Sequence, residues 1–123
     1  MARTIFASAA RTATANSARF RRDVNTTGIA VTVDVTAVSG TSPTLTVKLQ
    51  AYDQVSGKYI DVPGAVTASI TGTTTARYVV HPAITASSNV AVAQVCPEMF
   101  RLVATIGGTT PSFTMSVTVE EIR

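Results

Sequence analysis

From Gly28 the chain reads G-I-A-V-T-V-D-V-T-A-V, and this alternation is its strongest constraint on a fold. Ile29, Val31, Val33 and Val35 fall on one side of an extended backbone, while Thr32, Asp34 and Thr36 fall on the other. Side chains alternate faces only in a strand, so the pattern predicts a half-buried strand with a period of two. Val and Thr together make up nearly a third of the chain. Both are β-branched and stiff at χ1, which favours a pleated surface over a helix.

Similar runs follow. In T-L-T-V-K-L-Q-A-Y-D, Leu45, Val47, Leu49 and Ala51 are expected inward, with Lys48 and Gln50 outward. Between these two runs, S-G-T-S-P at 39–43 reads as a loop. D-Q-V-S-G-K reads as a tight turn, with Gly57 free to adopt a positive φ. K-Y-I-D-V is its return strand, ended by Pro63-Gly64. A-V-T-A-S-I-T and T-A-R-Y-V-V-H flank G-T-T and read as a second hairpin. M-F-R-L-V-A-T-I and S-F-T-M-S-V-T-V-E-E-I flank G-G-T-T-P and read as a third, with Phe113, Met115, Val117 and Val119 on one face. Residues 82–97 read as a long loop holding a short strand or a helical turn. No internal repeat is apparent. The expected fold is all-β: an antiparallel β-sandwich, Ig-like or jelly-roll-like, with a small closed barrel as the alternative.

The first 22 residues differ in chemistry. They hold Arg3, Arg11, Arg19, Arg21 and Arg22, and no acid precedes Asp23. The formal net charge of the chain is +3. Residues 1–23 carry five cations against one acid, and the rest carries five cations against six acids, so the positive excess belongs to this segment alone. Arg-, Ser- and Ala-rich composition also suits a transit peptide. A transit helix would show a stronger apolar face, however, and the Ile5, Ala9, Ala13 stripe is mostly alanine. Residues 1–27 are therefore expected to form a retained, extended basic arm with some strand pairing, and 28–123 the sandwich domain. The arm's five arginines are the expected partner interface, because the guanidinium fork pairs bidentately with carboxylates.

The remaining residues offer little chemistry. No apolar run reaches membrane-spanning length. His81 and Cys96 are single, and a nucleophilic dyad would require them within hydrogen-bond reach of each other. The simpler expectation is that His81 caps a strand end and Cys96 is a small buried hydrophobe. Asp53 and Asp61 flank the first turn and are expected to shape turns instead of forming an acid pair. Tyr52 and Tyr59 are expected to pair across the hairpin. No zinc spacing, calcium loop or phosphate loop is present, so no catalytic, cofactor or metal residues are expected. The body has no basic stripe of the kind that reads nucleic acid.

Several motifs lie in a shared order: A-S-A-A-R-T-A-T at the start, Ser56-Gly57-Lys58-Tyr59, Thr71-Gly72-Thr73-Thr74, His81-Pro82 and Phe100-Arg101-Leu102. In this the chain resembles small β-rich structural proteins from the head-and-tail gene clusters of tailed bacteriophages. The resemblance spans nearly the whole chain. It departs where His81, Ala83 and Phe100 replace residues more common in the family. It implies a non-enzymatic virion protein, foremost a decoration (cement) protein on the head surface. The partners implied are the major capsid protein and further copies of this chain, with a trimer as one arrangement. A tail or head–tail connector component is the alternative, and a carbohydrate- or cell-surface-binding β-module a more distant one.

Overall fold

The structure, a computed structural model, describes residues 2–123; the expectation that Met1 begins a retained segment lies outside the described residues. Eight strands follow in order: β1 (Ala2–Arg11), β2 (Ala15–Asn16), β3 (Phe20–Arg21), β4 (Gly28–Asp53), β5 (Lys58–Val66), β6 (Thr74–Val80), β7 (Ala91–Val92) and β8 (Met99–Ile122). No helix occurs among the described residues. The strands form one open, mixed sheet with the order β1-β8-β4-β6-β7; β2 and β3 also pair with β8, and β5 with β4. All ladders are antiparallel except β6–β7, which is parallel and so departs from the expected all-antiparallel arrangement.

The backbone of the fold is the β4–β8 ribbon, paired from Gly28↔Ile122 to Ala51↔Phe100. Each long strand serves two neighbourhoods. The first half of β4 pairs with β6 and its second half with β5. The second half of β8 pairs with β1 and its first half with β2 and β3.

This layout overturns two expected hairpins. Residues 99–106 and 112–122 are not paired with each other; they are successive parts of β8. Likewise β5 and β6 pair with different parts of β4, and between them Ile70 makes a single bridge to Leu45. Pro63-Gly64 does not end its strand either, since β5 continues to Val66 across a register shift. At Pro63-Gly64 and at G-G-T-T-P, glycine and proline mark an irregularity within a strand, a role they also fill in bulges.

The expected loop at 39–43 is also inside a strand, and it lies opposite G-G-T-T-P. Gly40 has φ 110° and Gly108 φ 113°, while Ser42 and Thr110 have φ 48° and 45°. A Cβ on Gly40 would lie 2.6 Å from the Thr110 carbonyl oxygen, and one on Gly108 would lie 2.7 Å from the Ser42 carbonyl oxygen. The two irregular segments, G-T-S-P and G-T-T-P, thus pack against each other in matching fashion. The ladder shifts register between Ser39 and Thr44 to accommodate them.

Parity along the long strands is as the alternation predicts. Ile29, Val31, Val33, Val35, Leu45, Val47 and Leu49 are buried, as are Phe113, Met115, Val117 and Val119. Together with Tyr78, Val80, Phe100 and Leu102 they form one apolar cluster drawn from both halves of the ribbon. Each fully buried side chain of this size contributes about 1.5–3 kcal/mol. Phe6 of β1 belongs to the same cluster. The N-terminal segment therefore adds to the core as well as pairing along it.

Candidate interaction surface

Period-two placement turns alternate residues of the N-terminal segment toward and away from the body. Along β1, Phe6 packs inward, while Ala7 to Ala10 are exposed. On its outer side β1 has no strand neighbour among the described residues, so part of its backbone is open there.

The five arginines take different positions. Arg3 Nη2 lies 3.0 Å from Glu121 Oε1 and 3.2 Å from Asp23 Oδ1, and its Nη1 donates to the Arg21 carbonyl at 2.7 Å. Arg123 closes the group, with Nη2 3.2 Å from Asp23 Oδ2. Asp23 lies between the Arg3 and Arg123 guanidinium groups and is held below the usual carboxylate range. Arg3 therefore fastens β1 to the end of β8. Arg11 lies 4.8 Å over the Phe6 ring and donates to the Ala7 carbonyl. Arg22 donates to the Thr26 carbonyl at 3.1 Å. Arg19 sits 4.1 Å over the Tyr52 ring. Arg21 is open to solvent: its side chain is 62% exposed and only loosely paired with Glu98, at 3.7 Å. The structure thus uses Arg3 internally and leaves Arg19 and Arg21 on the surface.

The Glu121 carboxylate escapes sequence reasoning. Its side chain is 0% exposed and its Oε2 has no hydrogen-bond partner among the described residues. Its parity was the available signal, since it continues the inward series Val117, Val119. Glu120, one residue earlier, faces outward.

A second surface group lies on β4, β5 and β8. Tyr52 and Tyr59 pair across the hairpin with ring centroids 5.0 Å apart, as expected. Arg101 covers Tyr59 at 3.7 Å and donates from Nε to Gln50 Oε1. With Arg19 over Tyr52, each ring has one face occupied by a guanidinium, an arrangement worth about 0.5–1 kcal/mol per pair at exposed sites. Asp61 accepts from Gln50 and Lys48, and these contacts, Gln50 first, hold its carboxyl low. Asp53 instead shapes the turn, accepting from Val55 N and Ser56 Oγ, which lower its pKa in that order. The two aspartates have separate partners.

His81 and Cys96 are likewise occupied separately. His81 follows the end of β6; its Nδ1 accepts from Ala83 N at 3.0 Å, which leaves Nε2 to donate to Thr27 Oγ1 at 3.3 Å. Cys96 is buried, its Sγ directed to the Pro97 carbonyl. Burial pushes its thiol up to about 11, far from the thiolate a nucleophile needs. Among the described residues no group of three or more His, Cys, Asp and Glu side chains is placed to hold a metal ion. No protein-family model, curated protein or solved structure matches the chain.

Proposed function

We propose that this chain is a non-enzymatic virion protein of a tailed bacteriophage, a decoration protein that adheres to the major capsid protein on the head surface. The observation that carries the reading is the placement of the basic segment: it is laid along β8, with the outer side of β1 open and Arg19 and Arg21 on the surface. The resemblance of the motif order to that of phage structural proteins favours the same class. In this reading the two halves of the sheet face one another across the common core as a β-sandwich. The mechanism is adhesion. Exposed guanidinium groups pair with carboxylates of the shell, and the open edge adds backbone contacts. Repetition on a symmetric shell then multiplies weak contacts, and self-association of copies adds to it.

The test is binding of the purified protein to heads that lack it. The double variant Arg19→Glu/Arg21→Glu is expected to lose binding while keeping the wild-type circular dichroism spectrum. Binding by the wild type should weaken as salt screens the contacts. Undiminished binding by the folded double variant would sink the interface.

A further inference from the structure

The pairing scheme divides the chain at the turn 54–57 into two units. Unit A holds β1, β2, β3 and β4; unit B holds β5, β6, β7 and β8. Six of the seven ladders join a strand of A to a strand of B, and only β6–β7 lies within a unit. Among the described residues no strand of unit A pairs with another strand of unit A.

Apart from β7, which has no counterpart in unit A, the scheme also maps onto itself when the units are interchanged. β1 pairs with the second half of β8, from Ala2↔Glu120 to Arg11↔Phe113; β5 pairs with the second half of β4, from Asp53↔Lys58 to Lys48↔Val66. β2 and β3 pair with the first half of β8, from Ala15↔Ala104 to Arg21↔Met99; β6 pairs with the first half of β4, from Val35↔Thr74 to Ile29↔Val80. The interchange carries G-T-S-P onto G-T-T-P. Both glycines have φ near 110°, and each packs its α-carbon against the other segment's backbone. The sequences around them correspond as well: V-S-G-T-S-P-T-L-T-V at 38–47 and I-G-G-T-T-P-S-F-T-M at 106–115. The repeat escapes a linear reading because its two copies pair with each other, not within themselves.

We infer that the chain is a fused pair of related, mutually pairing units, and that the partner this arrangement fits is a second copy of the chain, bound by exchange of units. If the turn opens, unit A of one copy meets on unit B of another the same ladders it forms at home. The closed monomer and the exchanged dimer therefore share all six inter-unit ladders. They differ at the turn, where Gly57 N donates to the Asp53 carbonyl at 2.8 Å and the Asp53 side chain accepts from Val55 N and Ser56 Oγ. Exchange of an identical element is a low-cost route to a dimer. The inference stands independently of the virion reading.

Deleting Gln54–Gly57 decides it. Asp53 and Lys58 are paired in the antiparallel ladder, and after the deletion the chain can reverse only by giving up that pair and turning tightly at those two residues, with no glycine to take the positive φ such a turn favours. The deletion variant is expected to double in mass by light scattering, with the wild-type dichroism spectrum. In a Cys96→Ala background, Thr32→Cys/Thr118→Cys across the β4–β8 ladder should form its disulfide between two chains in the deletion variant, and within one chain when the turn is intact. A folded monomeric deletion variant would overturn the inference. If that variant fails to fold, a protease site inserted in the turn of the full chain decides instead. After cutting, the two fragments should remain one particle on gel filtration. When unfolded and refolded with isotope-labelled cut protein, they should yield mixed pairs by native mass spectrometry. Fragments that separate, or that do not re-pair, would overturn it.

Discussion

Replacing Arg3 by alanine isolates the contact that fastens the N-terminal segment. Glu121 is fully enclosed, and among the described residues Arg3 supplies its only guanidinium partner, at 3.0 Å. Removing one member of a buried pair typically costs about 3–5 kcal/mol, because the other charge is left desolvated and unpaired. Here Arg3 is itself 23% exposed, and Asp23 N still donates to Glu121 Oε1 at 3.3 Å. These reduce the expected loss to the lower end, about 3 kcal/mol. For a domain of this size that corresponds to a fall of about 10 °C in Tm. Urea unfolding followed by circular dichroism at pH 7 measures it. The double variant Arg3→Ala/Glu121→Gln should recover most of the loss, since it removes the stranded charge while Gln keeps the acceptor for Asp23 N. A loss below about 1 kcal/mol for Arg3→Ala would show that the pair behaves as a surface ion pair, and the reasoning would be refuted.

Three further outcomes follow from the same structure. Gly40→Ala and Gly108→Ala should each destabilise by about 2–3 kcal/mol, because both place a Cβ against a carbonyl oxygen at a left-handed φ; matched losses in thermal melts would bear out the equivalence of the two segments. Tyr78→Phe should be neutral or stabilising by up to about 1 kcal/mol, since the Tyr78 hydroxyl is buried without a partner among the described residues; a marked fall in urea midpoint would contradict this. Asp23, Asp53 and Asp61 are all depressed in the folded state, so their contribution is complete above the ordinary carboxylate range. It is lost as pH falls below about 4, and Asp61→Asn should flatten that acid limb in a pH series of urea midpoints.

Much of the strand content was legible because Val and Thr alternate so regularly. The inward faces of 29–35, 45–49 and 113–119 follow from parity alone. The D-Q-V-S-G-K turn was legible from Gly57, whose φ is 73°. What sequence could not supply was continuity. G-T-S-P and G-G-T-T-P carry the residues of a chain reversal, yet each is followed by the next stretch of the same strand. The difference lies in the partner, since each irregular segment packs on the other across a long separation in sequence. The same holds for the arginines. Five cations in one segment suggest a surface arm, but Arg3 is neutralised by Glu121 and Asp23, and only the first of these carries a parity signal of burial. Tyr52 and Tyr59 were legible as a cross-strand pair, whereas the guanidinium groups that cover them come from β8 and from beyond β2.

The virion reading is tested most directly by quantitative mass spectrometry of purified phage particles, with heads and tails separated. A decoration protein should be found on heads in a fixed ratio to the major capsid protein, at comparable copy number. Absence from particles, or a few copies confined to tails, would contradict it.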